Sequence, residues 1–291
     1  MILSGCVSAE AIDPFKLSPI PTTIQPSKLT TNTSTPSPTI QNTPTASPTA
    51  TLTPSPSPTA TWVTIGPGAV EAPILLYHHI EPAPSSLLYG INTETFENHL
   101  SYLSAHGYHT ITLVQLREAI LEGMLLPPKP VIITFDDGNV DNYEHAFPIM
   151  QKYGFTGTVY IVANRLESEG YLSIEQLQEL AAAGWEIGSH SMTHLDLANA
   201  PPQQLRQEII GSRLHLEKEI GVDVRSFAYP FGAFTSTLGK KVENYGYRTG
   251  VGLGKNSTHD RGTIYYLSRH EILGTMTMDD FKVRLGVPNL P

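Results

Sequence analysis

The sequence predicts an α/β fold: a TIM-like, closed or nearly closed barrel of about seven parallel strands, with helices packed outside. Three observations predict it. From residue 73, short apolar runs alternate with amphipathic stretches, an order that requires crossover connections and so parallel pairing. Helical patterns stop at Gly107, Gly154, Gly184, Gly221 and Gly246, residues that accept the left-handed cap. Two polar clusters follow apolar runs directly, and barrel enzymes carry their chemistry on the loops after strands.

Taken in order, the first strand is expected over Pro73–His79, where Ile74-Leu75-Leu76-Tyr77 is an unbroken apolar run. A helical pattern over Glu94–Ala105 leads to a short strand at Thr110–Leu113, and Val114–Glu122 forms the next helix. Pro130–Phe135 is mostly β-branched and apolar, as in a strand buried on both faces. Asn142–Tyr153 is amphipathic, and Gly157–Val162 is the following strand. Ser173 and Gln176 suggest a capping box at the start of helix Ile174–Ala183. Strand Glu186–Ser189, helix Gln203–Ile220, strand Ser226–Tyr229, helix Thr237–Tyr245 and strand Thr249–Leu253 complete the pattern.

Upstream, the composition changes. Residues 18–61 are almost entirely Pro, Ser, Thr and small polar residues, with Lys28 as the sole charge. Such a segment buries too little apolar surface to offset its ordering entropy, so 18–68 is expected to be a disordered linker, an extended tether. It would join a 1–17 leader region to a catalytic domain over 69–291. Leu3-Ser4-Gly5-Cys6 resembles a bacterial lipobox, although only Met1–Leu3 stand where a signal peptide belongs. The expectation is a start placed too far downstream, a lipid on Cys6 as the only link to a membrane, and an extracellular or cell-surface enzyme. A net charge of −9 without a basic stripe argues against nucleic acid as a partner. Cys6 is the single cysteine, which excludes a disulfide framework and a thiolate metal site.

The polar clusters are Thr134-Phe135-Asp136-Asp137-Gly138 and His190-Ser191-Met192-Thr193-His194. Alone, Asp-Asp-Gly is often only a turn, and His-x-x-x-His a pair on a surface helix. Together, at the ends of buried strands, they supply what a hydrolytic metal needs. Two imidazoles and one aspartate give three ligands, and the other aspartate is left to take a proton from water. That donor set suits Zn²⁺ or Co²⁺ better than the oxygen-seeking Mg²⁺ or Ca²⁺.

These two clusters resemble the first two motifs of the polysaccharide deacetylases, carbohydrate esterase family 4, over roughly residues 73–285 of the chain. Phe227-Ala228-Tyr229-Pro230-Phe231-Gly232 resembles the third motif in a variant form. The resemblance implies a distorted (β/α) barrel that removes acetyl groups from N-acetylglucosamine polymers. It implies Asp137, His190 and His194 as ligands of a divalent metal (Zn²⁺, with Co²⁺ or Ni²⁺ as substitutes), and Asp136 as general base. The backbone N–H of Phe231 would donate to the oxyanion.

Two departures from the family pattern matter. The usual Arg of the third motif, which orients the base, is Ala228 here, and Arg269 in Leu267-Ser268-Arg269 is the candidate to replace it. No Leu-x-His closes the chain. Tyr77-His78-His79-Ile80 instead resembles the branch of biofilm poly-N-acetylglucosamine deacetylases that carries this histidine on the first strand. His78 is thus expected as general acid, with His79 as fallback. Tyr229, Pro230 and Phe234 are expected along the substrate, with stacking on sugar faces by Tyr229, Phe231 and Phe234, and Trp185 is expected in the core. Two further readings stay open: an acetylxylan-type O-esterase, and a wall-binding barrel that has lost turnover, the latter motivated by Ala228.

Overall fold

The structure, a computed structural model, describes residues 62–82 and 87–288. Cys6, the 1–17 leader region and the linker expected up to residue 61 lie outside the described residues.

Seven strands form a closed parallel ring: β1 (Ile74–Tyr77), β2 (Pro130–Phe135), β3 (Thr158–Ile161), β4 (Glu186–Ser189), β5 (Ser226–Ala228), β6 (Thr249–Leu253) and β7 (Leu267–Glu271). Neighbours in the chain are neighbours in space. The ring closes where β7 and β2 flank β1, with His270 opposite Leu75 and Ile74 opposite Ile132. Pairing is uneven: β3 and β4 share four residue pairs, but β4 and β5 share only Ser189 with Phe227. That sparse seam distorts the barrel.

Period-two alternation divides the apolar strand residues between two cores. Leu75, Tyr77, Val131, Ile133, Phe135, Val159 and Ile161 face the outer helices. Ile74, Ile132, Tyr160, Ala228, Val251 and Leu267 fill the interior. The helices are α1 (Thr93–Ala105), α2 (Leu113–Leu121), α3 (Phe147–Lys152), α4 (Ile174–Ala182), α5 (Pro202–Arg206), α6 (Ser212–Ile220), α7 (Ser236–Asn244) and α8 (Met278–Arg284). Leu113, Leu116 and Ile120 of α2 join the interior cluster, so α2 closes the barrel floor. The Ser173–Gln176 capping box is formed at α4, and Gly221 ends α6 at φ 81.

Several expected elements are corrected. Thr110–Leu113 is not a ring strand. Only His109–Thr110 is extended, pairing with Pro130 and Val131 outside the ring, while Thr112 caps α2 and draws Leu113 into it. The seventh strand is Leu267–Glu271, whose Ser, Arg, His and Glu hide it from an apolar-run criterion. The expected first strand stops at Tyr77, and His79–Glu81 pairs with Gly90–Asn92 instead. The helix expected over Gln203–Ile220 contains a π turn at Gln207–Gly211. At the end of the expected linker, Val63–Ile65 pairs antiparallel with Met124–Leu126.

Candidate active site

The expected site residues gather at the C-terminal ends of the ring strands, around one cavity of about 390 Å³. His78 follows β1, Asp136 and Asp137 follow β2, His190 follows β4, Phe231 lies beyond β5, and Arg269 is within β7.

Asp136 continues the inward face of β2 set by Ile132 and Thr134, and its carboxylate is held by a buried fork. Arg269 Nη1 donates to Oδ1 at 2.6 Å and Nη2 to Oδ2 at 2.7 Å. The guanidinium also donates to Thr134 Oγ1 at 3.3 Å and to the Gly252 carbonyl at 3.3 Å. Burial alone would raise the Asp136 pKa, but the Arg269 charge, with His190 adding to it, holds the carboxyl far below the usual carboxylate range. The Asp136 carboxylate is ionised and its orientation is fixed. A guanidinium absent at Ala228 is thus supplied to it by Arg269, 133 residues away in the chain.

Asp137 turns away from Asp136 because its backbone is left-handed (φ 73), a conformation that Asp tolerates better than most residues. Gly138 follows at φ 75, where a Cβ would stand 3.0 Å from Ile161 Cδ1. Asp137 Oδ1 is buried without a hydrogen-bond partner, 3.6 Å from His194 Nε2 and 3.5 Å from Arg165 Nη1. One ligand atom each from Asp137, His190 and His194 lies within 4.8 Å of the others. His190 Nδ1 donates to the Ala228 carbonyl at 2.9 Å, so its Nε2 carries the lone pair. Burial pushes the His190 pKa down against the pull of Asp136, which favours the neutral form that metals bind. An orphaned carboxylate oxygen beside two imidazoles fits a divalent cation.

The His190–His194 spacing is a loop rather than a helical turn, with Ser191 (φ 69) and His194 (φ 63) both left-handed. Glu208, buried in the π turn, holds this loop. Its carboxylate accepts from the Met192 and Thr193 amides at 3.1 and 2.9 Å and from Thr193 Oγ1 at 2.7 Å. Nothing in the sequence motif pointed to Glu208, and only the fold brings it there.

His78 lines the cavity, with its ring centroid 4.7 Å from that of Tyr89. His79 turns elsewhere, its Nδ1 2.7 Å from Asp141 Oδ2. That hydrogen bond is the largest influence on His79 and raises its pKa. Phe231 is 65% exposed, left-handed (φ 58), and packs its ring 4.6 Å from that of His194. The stacking expectation for Tyr229 is corrected: its ring is wholly buried and its hydroxyl donates to the Tyr265 carbonyl at 2.7 Å, leaving no face for a sugar. Pro230 is buried in the same turn, Phe234 is half-buried against Tyr266, and Trp185 packs in the core on Phe135.

Comparison with known proteins gives a consistent result. Residues 125–250 match the model of the polysaccharide deacetylase family. The Bacillus subtilis protein YxkH, named for this family, is 32% identical over 62% of this chain. The alignment spans 64% of YxkH, just under two thirds of its length. Poly-β-1,6-N-acetyl-D-glucosamine N-deacetylase of Staphylococcus aureus is 25% identical over 62% of this chain and 67% of its own. Among solved structures, the Streptococcus pyogenes deacetylase PplD in complex with acetate superposes with a TM-score of 0.68 at 25% identity. That match covers 74% of this chain and 98% of PplD.

Proposed function

We propose that the chain is a polysaccharide deacetylase, as its match to that family over residues 125–250 supports, and that it hydrolyses N-acetyl groups of an N-acetylglucosamine-containing polysaccharide. The observation that carries this reading is one cavity in which a metal-ligand triad and a separately held, ionised carboxylate face each other. Asp137, His190 and His194 would hold a divalent ion, best Zn²⁺, whose Lewis acidity acidifies water and polarises the acetyl carbonyl. Asp136, fixed by Arg269, accepts a proton from water as the water oxygen attacks the carbonyl carbon. The Phe231 N–H donates to the carbonyl oxygen as charge builds there. His78, protonated, gives its proton to the nitrogen while the C–N bond breaks, which releases acetate and the sugar amine.

The N-acetylglucosamine polymer is supported by the Staphylococcus aureus relative, whose name specifies that linkage chemistry. A lapsed, purely binding barrel loses its motive, since Arg269 restores the guanidinium that Ala228 lacks. A cell-surface location through a lipid on Cys6 remains part of the proposal, motivated by the Leu3–Cys6 tetrapeptide and the Pro/Ser/Thr-rich segment that follows it.

The test is release of free amine from poly-N-acetylglucosamine, chitin oligomers and peptidoglycan, run beside acetate release from acetylxylan. Amine from any of the first three supports the reading. Acetate from acetylxylan alone would replace it with an O-esterase.

A further inference from the structure

Arg269 is long, enters from the last strand and lies across the barrel interior, yet its fork must meet Asp136 within a few tenths of an ångström to orient it. The edge of the guanidinium is held by Asp136, Thr134 Oγ1 and the Gly252 carbonyl. Its face is not held by any of them. The guanidinium carbon stands 5.4 Å from the centroid of the Tyr160 ring, a fully buried side chain on β3 that points into the interior. A buried, desolvated cation over an aromatic face is among the stronger contacts of its type.

The ring reaches that place because the strand beside it carries no side chain at the same level. Gly188 is the register partner of Tyr160. A Cβ at 188 would stand 2.4 Å from Tyr160 Cδ1 and Cε1 and 2.8 Å from Ser226 Oγ, closer than packed atoms allow. Neither Tyr160 nor Gly188 lines the catalytic cavity. The tyrosine hydroxyl has Ser226 and Glu186 for neighbours, so it is the ring face that meets Arg269.

We propose that Tyr160 is a positioning residue of the reaction: its ring is the shelf that holds Arg269 square to Asp136, and Gly188 is the gap that admits the ring. The proposal rests on the deacetylase reading for its kinetic consequence, but its geometric consequence stands apart from it. Without the shelf, Arg269 regains rotamers that pair one oxygen of Asp136 instead of two, and the base drifts from the attacking water.

Tyr160→Phe, Tyr160→Leu and Gly188→Ala test this, each alone and combined with Arg269→Lys, with kcat, KM, metal affinity and crystal structures measured. Tyr160→Phe keeps the ring and should hold kcat within about twofold, whereas Tyr160→Leu should lower kcat about tenfold or more with KM and metal affinity unchanged. Gly188→Ala displaces the ring without opening a cavity and should act like Tyr160→Leu. With Lys at 269 there is no fork to align, so Tyr160→Leu should cost little further. Equal losses in both backgrounds, or a full kcat in Tyr160→Leu, would overturn the proposal. So would a crystal structure of Tyr160→Leu in which both Arg269–Asp136 hydrogen bonds persist unchanged. Collapse of the fork in a protein whose wild type releases no amine would support the shelf and remove the deacetylase reading.

Discussion

The metal cradle and the base assembly share one cavity but are built in opposite ways. Asp137, Ser191 and His194 sit on loops with left-handed backbones, Asp137 and His194 partly open to solvent, and the nearest support is local. Asp136 and Arg269 lie at the ends of or within regular strands, both buried, and reach each other across the barrel. Left-handed backbone in non-glycine residues costs free energy that the surrounding structure has to offset. In the cradle, Glu208 and a bound cation would do so. In the base assembly no backbone strain is needed, but two charges are out of water and each is paired chiefly with the other. On the proposed reading, the cradle is therefore the part that a cation stabilises, and the ion pair is the part that folding stabilises.

Stripping the cation probes the first half of that contrast. A chelator should abolish amine release, and Zn²⁺ or Co²⁺ should restore it, while far-UV circular dichroism of the barrel stays unchanged. Full activity at excess chelator, with metal absent by elemental analysis, would end the metal reading. Asp136→Asn should lower kcat by about 10²–10⁴-fold while metal stoichiometry is kept, because only the proton acceptor is lost. Near-normal turnover would exchange the roles of the two aspartates.

Arg269→Met leaves a buried carboxylate unpaired and should destabilise the fold by about 3–5 kcal/mol at neutral pH, read by urea unfolding. The pH dependence has a definite sign. In the wild type the folded Asp136 pKa is depressed, so its contribution is present above the unfolded value of about 3.9 and lost as pH falls toward the folded one. In the variant, burial raises that pKa, and acidification should relieve the penalty. The gap between the two proteins should thus narrow as pH drops, and a gap constant with pH would show that Asp136 is not the group Arg269 serves.

His78→Ala should depress kcat on an amide about 10²-fold, with a smaller loss on an aryl acetate, whose leaving group needs no proton. Equal losses on both substrates, with a lowered melting temperature, would assign His78 to structure. The smallest effect belongs to Phe231→Ala. Its backbone N–H is kept and its ring is exposed, so a several-fold rise in KM with kcat nearly unchanged is expected if the ring faces a sugar.

The same contrast explains what was legible in the chain. Cradle residues fall in two compact motifs, Asp137 in the turn after β2 and His190 with His194 in the loop after β4, so the three could be read as a set. The ring strands with apolar runs were equally plain. β7 was not, since besides Leu267 its inward residues are Arg269 and Glu271, whose places are justified only by partners on β2 and by the cavity. Arg269 itself was suspected from a gap at Ala228, not from any local signal. Glu208 and Tyr160 had none at all: one acts through a π turn and the other through a missing side chain at Gly188. Tyr229 misled because an aromatic in a motif suggests a sugar platform, whereas its burial follows from three neighbouring rings, Phe227, Phe234 and Tyr266.

The ring is closed by its first and last strands, with His78 just past β1 and Arg269 on β7. During synthesis a ribosome delivers β1 through β6 first, and with them the complete metal cradle. Until residues 267–271 emerge, β1 lacks one neighbour and Asp136 lacks its guanidinium. The strand that closes the ring is thus also the strand that completes the buried ion pair, so closure of the barrel and orientation of Asp136 are one event.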